Sequence, residues 1–69
     1  LQEQVLWLDA RKLPEPDFEE MIETILSYEG EVRTKILHAE KRFEFSVHLS
    51  RALMAELRSF LPDQCIKLV

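Results

Sequence analysis

The sequence contains few of the residues that usually mark a chemical function. Its 69 residues include one cysteine and one glycine. Because Cys65 is the only cysteine, no disulfide can form within the chain, and we expect a cytoplasmic protein whose fold depends on its hydrophobic core. With one glycine, the sequence has neither a glycine-rich phosphate loop nor the Gly-x-Ser-x-Gly turn of a serine hydrolase. We therefore expect no enzymatic activity and no cofactor in this domain.

Long apolar segments are also missing. No run of about 18 apolar residues occurs, so we expect no membrane span, and the first residues lack the pattern of a signal peptide. The sequence begins with Leu1 rather than methionine, which predicts a fragment excised from a longer chain. Since 46% of the residues are hydrophobic and 32% are charged, the composition is typical of a folded protein. We expect residues 1–69 to form one small domain.

The formal net charge of -4 is unevenly distributed. Residues 1–32 contain nine acidic and two basic residues, whereas residues 33–69 contain four acidic and seven basic ones. The acidic residues are densest between Glu15 and Glu31, where no basic residue occurs. An acidic run repels a phosphate backbone, so we expect no direct binding of nucleic acid. The simplest interpretation is a solvated helix face, and the alternative is a surface for a basic protein partner.

The first half of the chain predicts a strand followed by a helix. Residues 5–8 are a short apolar run of good strand formers. Asp17 and Glu20 have the spacing of a capping box, and Gly30 is placed as the residue that follows a helix end. These signals predict a helix over 18–29. Its apolar stripe consists of Phe18, Met21, Ile22, Ile25 and Leu26.

The middle of the chain predicts a β-hairpin. Two strands, over 32–38 and 43–48, are joined by a four-residue loop over 39–42. This loop places Ile36 opposite Phe45, so that apolar side chains share one face. A two-residue Ala-Glu loop preserves the same faces but lacks the glycine or asparagine that tight turns prefer.

The last third predicts a helix that starts at Ser50 as N-cap and stops before Pro62, and a final strand over 65–69. The whole order predicts an α+β, ferredoxin-like βαββαβ fold, with a four-stranded antiparallel sheet and two helices on one face. The other face is open to solvent. The residues expected to be nearly buried are Ile22, Ile25, Phe43, Phe45, Leu53 and Leu57.

The RNA-recognition motif shares this order of elements, and the stretch 41–47 superficially resembles its aromatic RNA-binding strand. If Phe43 and Phe45 faced RNA, Glu44 and Ser46 would face the core, and burying an unpaired carboxylate is costly. We therefore assign both phenylalanines to the core and expect no RNA binding.

The two histidines do not indicate a metal site. His38 and His48 fall on opposite faces of the predicted hairpin, so they cannot join Cys65 around one ion. We expect no metal, and we expect both histidines to be solvated or at a strand edge.

Trp7 is the residue most typical of a binding surface. If Leu6 and Leu8 face the helices, Val5 and Trp7 lie on the open face; the opposite register buries Trp7, and four successive apolar residues leave both registers open. The predicted protein-binding residues are Val5, Trp7, Arg33, Lys35, Leu37 and His48.

The ordered pattern resembles one known family. Residues 5–8 read Val-Leu-Trp-Leu, residues 25–30 read Ile-Leu-Ser-Tyr-Glu-Gly, and residues 47–57 form a Val-x-x-Ser-x-x-Leu-x-x-Glu-Leu-like helix before a terminal apolar strand. This is similar to the small C-terminal domain of bacterial replicative DNA polymerase III alpha subunits, over about residues 5–69. The hairpin without a glycine turn and the Leu-Pro-Asp ending of the second helix depart from that pattern.

The resemblance implies a cytoplasmic, non-catalytic accessory domain for DNA replication, near the region that contacts the clamp-loader tau subunit and the sliding clamp. The polymerase active site would lie elsewhere in the parent chain. The alternative is a free-standing ferredoxin-like regulatory or oligomerisation module that pairs with itself through its open sheet or an edge strand.

Overall fold

The computed structural model describes residues 3–69, which form four strands, two helices and one 3-10 turn. Along the chain these are β1 (Val5–Asp9), α1 (Glu15–Leu26), β2 (Glu29–His38), β3 (Lys41–Val47), α2 (Arg51–Phe60), the 3-10 turn (Asp63–Cys65) and β4 (Ile66–Leu68). The predicted order of helices and strands is confirmed. The predicted strand over 65–69 is shorter than expected, because the 3-10 turn takes up its first residue.

The four strands form one sheet in the order β3-β2-β1-β4. The predictions of an α+β domain and of a four-stranded sheet are confirmed. The prediction that the sheet is antiparallel is wrong, because β1 and β2 are parallel neighbours. In a split βαβ arrangement another strand separates these two, whereas here the crossover through α1 returns the chain directly beside β1. The ferredoxin-like description therefore covers the order of elements along the chain and not the order of strands in the sheet.

β1 and β4 bring the two ends of the described chain together. The amide nitrogen of Val5 donates to the carbonyl oxygen of Val69 at 2.9 Å, and the amide nitrogen of Val69 donates to the carbonyl oxygen of Val5 at 3.0 Å. β4 is antiparallel to β1 and forms one edge of the sheet. The other edge is β3.

α1 begins and ends earlier than its sequence signals predict. Pro14 is the N-cap residue and makes no side-chain hydrogen bond, so the prediction that Asp17 caps the helix is wrong. Asp17 and Glu15 instead lie in the first turn, where the positive end of the helix dipole favours carboxylates. At the other end, the hydroxyl of Ser27 donates to the carbonyl oxygen of Thr24 at 2.6 Å.

Gly30 lies inside β2, so the prediction that it ends the helix is wrong. Its φ is not positive, and the reason for a glycine is space. The register of β2 against β3 shifts between Glu29 and Val32, which is the irregularity of a β-bulge. A Cβ atom at position 30 would collide with the backbone of Val47 and His48. Only glycine permits this close approach of the two strands.

The hairpin has the two-residue loop, Ala39-Glu40, and not the predicted four-residue one. Ile36 consequently lies opposite Phe43, and the predicted pairing of Ile36 with Phe45 is wrong by two residues. The faces are as predicted, because a shift of two preserves the alternation. Ala39 has φ of 53°, so an alanine supplies the positive φ that a tight turn requires.

Both helices cover the same face of the sheet, and the core lies between the helices and this face. α2 starts as predicted, with the Ser50 hydroxyl accepting from the amide of Leu53 at 3.1 Å. Among the predicted core residues, Ile25, Leu53 and Leu57 are buried. Phe43 and Phe45 face the core side but are only half-buried, because β3 is an edge strand that α1 covers incompletely. Ile22, which packs against the core at the same edge, is half-buried as well.

Leu57→Ala should lower the free energy of unfolding by about 2–5 kcal/mol, because Leu57 is fully buried and its loss leaves a cavity. Leu26→Ala is the matched control, since Leu26 is 60% exposed and should change stability by less than about 1 kcal/mol. Urea denaturation of the three proteins measures both differences. Equal stability of the two variants would show that α2 is not packed as described.

Gly30→Ala should destabilise the domain by about 1–3 kcal/mol, because the added methyl group must push the β2 and β3 backbones apart. Ser46→Ala, at an exposed position of β3, serves as the control and should stay within about 0.5 kcal/mol of the parent. Thermal unfolding followed by circular dichroism compares them. A Gly30→Ala variant as stable as the control would contradict the close approach.

Candidate functional site on the open sheet face

The face of the sheet opposite the helices carries most of the predicted site residues. Alternation along each strand defines this open face, because Leu6 and Leu8 of β1 and Thr34 and Ile36 of β2 are buried against the helices. The open face consists of Val5, Trp7 and Asp9 from β1, Arg33, Lys35 and Leu37 from β2, Arg42, Glu44 and Ser46 from β3, and Lys67 from β4.

Trp7 lies near the middle of the open face. Its side chain is 38% exposed while its two neighbours, Leu6 and Leu8, are 0% and 2% exposed. Of the two registers that the sequence leaves open, the structure therefore has the one that exposes Trp7. The strand register places Lys35 on one side of Trp7 and Lys67 on the other. The Nζ atom of Lys35 lies 5.1 Å from the indole centroid, within the range of a cation–π contact.

Shallow hollows flank the indole ring on both sides. One hollow, of about 230 Å³, lies between Trp7 and the β2–β3 hairpin, with Lys35, Arg42 and Glu44 among its lining residues. The second lies toward β4 and is lined in part by Asp9, Cys65 and Lys67. Leu37 lines both. The ring is therefore accessible from its two sides, and an apolar side chain placed in either hollow would contact it.

The charges of the open face are only partly compensated. The Nε atom of Arg33 is 3.4 Å from a carboxylate oxygen of Glu3 and 3.5 Å from one of Glu44. Asp9 forms an ion pair with Arg11. Within residues 3–69, Lys35, Arg42 and Lys67 have no carboxylate within 4.0 Å, so three free cations remain around Trp7.

The Asp9 carboxylate is held in its charged form by Arg11. The Arg11 side chain donates from Nε at 2.9 Å and from Nη2 at 2.8 Å, and its backbone amide donates at 3.2 Å. These hydrogen bonds, with the side-chain ones contributing most, lower the pKa of Asp9 from 3.8 to about 2. The pKa of Arg11 is raised for the same reason. Asp9, the only acidic residue of β1, is therefore already paired with the basic side chain of Arg11.

Two predicted site residues lie away from the indole. His48 is exposed but follows the end of β3, and it lines neither hollow. Its backbone amide donates to the carbonyl oxygen of Tyr28. Val5 is half-buried beside Arg33 at the same end of the sheet. Of the six predicted residues, the structure brings Trp7, Lys35 and Leu37 together and places the other three beyond them.

Arg42 and Lys67 complete the set of cations around Trp7, and neither is among the six predicted site residues. The four-residue loop predicted for the hairpin removed Arg42 from β3, whereas the two-residue loop returns it to the open face. Lys67 is the middle residue of β4, and its pairing with Trp7 follows from the strand order. The alternation of Cys65-Ile66-Lys67-Leu68 was the available signal for Lys67.

His38 is buried, so the prediction of a solvated or edge histidine is wrong for it. Its ring stacks on the Phe18 ring with a centroid distance of 3.8 Å and an interplanar angle of 2°. Its Nε2 atom is 3.0 Å from the carbonyl oxygen of Leu13, and its Nδ1 atom is 3.8 Å from a carboxylate oxygen of Glu15. His38 thus attaches the end of β2 to the segment that precedes α1, on the side opposite Trp7.

The helix side also contains a hydrogen bond between a tyrosine and an acidic side chain. The Tyr28 hydroxyl donates a short hydrogen bond to the Glu56 carboxylate, which raises the pKa of Tyr28. This pair joins the chain after α1 to α2. Residues 3–69 contain no group of three or more histidine, cysteine or acidic residues suitable for a metal ion. None of the described helices is long and apolar enough to cross a membrane.

Comparison with known protein families, curated proteins and solved structures gives no match for this chain. The open face itself is therefore the basis for a functional interpretation. It offers one accessible tryptophan, a hollow of mixed polar and apolar lining on each side of the ring, and an excess of positive charge. Such a surface can bind an acidic segment that carries an apolar side chain.

Asp9→Asn should make the domain less stable at pH 7, and the difference should be much smaller at pH 2. The folded pKa of Asp9, about 2, lies below the 3.8 of the free group, so its ion pair stabilises the fold above pH 4. That contribution falls as the pH drops below 4 and is lost as the pH passes through 2. Urea denaturation at several pH values measures the difference.

The double variant Asp9→Asn with Arg11→Gln provides the control. Because the two side chains act on each other, it should be no less stable than Asp9→Asn alone at pH 7. Additive losses from the two substitutions, or a constant difference between pH 7 and pH 2, would contradict this account of the pair.

Proposed function

We propose that this chain is a non-catalytic accessory domain of a bacterial DNA replication polymerase that binds another protein through its open face. Two independent observations support the proposal. The residues of 25–30 and 47–57 resemble those of the polymerase III alpha C-terminal domain. Trp7 is exposed near the centre of the open face.

The position of Trp7 supports a binding role most directly. A large ring on a flat sheet removes much apolar area from water on binding, and its two side-chain torsions lose little entropy. The neighbouring strands hold the backbone of Trp7 in place, because β1 is paired with β2 on one side and with β4 on the other. A partner therefore meets a rigid anchor rather than a flexible loop.

The charges around Trp7 support an acidic partner. Lys35, Lys67 and Arg42 are free of ion pairs within the described residues, and they surround the indole on both sides. Cations in this arrangement attract an acidic segment and make its association sensitive to salt. The acidic α1 lies on the other face of the sheet and does not weaken this attraction at contact distance.

The partner that fits best is an extended acidic peptide segment with one apolar side chain for the hollows beside the indole. The resemblance makes the clamp-loader tau subunit the first candidate. A second copy of the chain is the candidate of the alternative function given below. We propose a cytoplasmic protein and no direct binding of nucleic acid.

The alternative is a free-standing ferredoxin-like module for regulation or oligomerisation. One observation favours it: among residues 3–69, no strand pairs with the outer side of the seven-residue edge strand β3. An uncovered edge of this length is a common site for strand addition.

The test uses Trp7 as both target and reporter, because it is the only tryptophan in the chain. The parent chain and Trp7→Ala are immobilised in parallel and exposed to a bacterial extract, with Leu26→Ala as the control for an exposed apolar residue on the helix side. We expect Trp7→Ala alone to lose a replication protein from the bound set. Circular dichroism verifies that each variant is folded.

Fluorescence titration of the parent chain identifies the partner chemistry. An acidic peptide with a central leucine should change the tryptophan emission, and the change should weaken on raising the salt concentration. Binding should fall by about tenfold or more with Lys35→Glu combined with Lys67→Glu. If a single-stranded oligonucleotide changed the emission more strongly than the peptide, the partner of the open face would be a nucleic acid and not a protein. If Trp7→Ala bound the same proteins as the parent chain, the open face would not be the binding surface.

A further inference from the structure

The outer side of β3 presents a specific pattern of backbone groups. The amide of Ala10 donates to the carbonyl oxygen of Leu37 at 2.7 Å, so Leu37 directs its backbone groups toward β1. Its register partner on β3, Arg42, therefore directs its own amide and carbonyl away from β2. By alternation Glu44 and Ser46 do the same. Within the described part of the chain, these residues present backbone donors and acceptors without a strand partner at the sheet edge.

The side chains at these positions alternate in charge. Arg42 is basic, Glu44 is acidic and Ser46 is neutral, and all three lie on the open face. Charged residues on an edge strand often prevent strand addition. Here, however, two antiparallel copies of β3 can place the basic Arg42 of each strand opposite the acidic Glu44 of the other.

The possible symmetric registers of two antiparallel β3 strands can be compared directly. A pair centred on Glu44 places two carboxylates opposite each other, and a pair centred on Arg42 places two guanidinium groups opposite each other. Like charges at directly opposite positions are destabilising. A pair centred on Phe43 instead places Arg42 of each strand opposite Glu44 of the other, which gives two favourable pairs.

The helix side of the same edge fits this register. An apolar groove between α1 and β3 is lined by Ile22, Phe43 and Phe45 and is bordered by Glu19 and Glu23. Neither of these two carboxylates has a basic group within 4.0 Å among residues 3–69. Phe43 and Phe45 are only half-buried there.

We propose that two copies of this chain pair through their β3 strands, antiparallel and centred on Phe43. In this register the Phe43 rings of the two copies face each other and cover the groove. Lys41 of each copy lies opposite Phe45 of the other, on the side where Glu19 and Glu23 border the groove. A second copy of the chain thus covers the apolar groove, places Lys41 near its acidic border and forms the Arg42–Glu44 ion pairs.

The dimer is independent of the proposed polymerase role. Trp7, Lys35 and Lys67 lie on β1, β2 and β4, away from the β3 edge, so they remain accessible in each copy, whereas Arg42 of each copy pairs with Glu44 of the other. Pairing at β3 joins the two sheets into one of eight strands, with both tryptophans on the same side. Failure of the dimer would leave the proposed partner binding untouched, and the reverse also holds.

The test measures the mass of the 69-residue chain by sedimentation over a range of concentrations. We expect a reversible monomer–dimer equilibrium. Arg42→Glu places two acids opposite each other, and Glu44→Arg places two bases opposite each other; each variant alone should dimerise at least about tenfold more weakly. The control Arg51→Glu, at the start of α2, should leave the equilibrium unchanged.

The decisive measurement mixes the two variants. In a mixed dimer both cross-strand pairs again join an acid to a base, so an equimolar mixture of Arg42→Glu and Glu44→Arg should recover dimerisation. Recovery also shows that both variants are folded. A parent chain that is monomeric at every concentration overturns the proposal. So does a dimer that resists both substitutions, because its contact would lie elsewhere, and so does a mixture that stays monomeric.

Discussion

The parallel pairing of β1 with β2 determines most of the other features of this domain. It places these two strands in the centre of the sheet and sends β3 to one edge and β4 to the other. Because β1 is central, Leu6 and Leu8 reach the core and Trp7 is exposed in the middle of the opposite face. Because β3 is an edge, its phenylalanines are covered on one side only. The candidate binding surface and the candidate dimer contact are therefore two consequences of one strand pairing.

The predicted elements succeed where the signal is local. Ser50 caps α2 through a bond to a residue three positions away, and the alternation of β3 places Phe43 and Phe45 on the core side with either the two-residue or the four-residue loop. The errors concern contacts between distant residues. Gly30 has the sequence context of a helix end, yet it is required by the backbone of His48, which no local pattern reveals. The parallel β1–β2 pair likewise depends on a crossover that the order of elements leaves open.

The residues of the candidate site also divide into those that a local pattern predicts and those that depend on contacts elsewhere in the chain. Trp7, Lys35 and Leu37 could be predicted from alternation, since each strand's own pattern defines its two faces. Arg42 could not, because a turn without glycine or asparagine favours a longer loop, and here Ala39 adopts a positive φ that alanine seldom takes. His38 could not be predicted either. Its burial depends on stacking with Phe18, twenty positions away, and on the carbonyl oxygen of Leu13.

The pairing of β1 with β4 has a consequence for how such a domain can be connected to other sequences. Residues 5 and 69 exchange two backbone hydrogen bonds, so entry to and exit from the fold occur at one point of its surface. A domain of this geometry can be inserted into a surface loop of a host protein without stretching the host backbone. The same proximity permits circular permutation, with a few residues joining the original ends and new ends opened in the exposed Ala39-Glu40 turn.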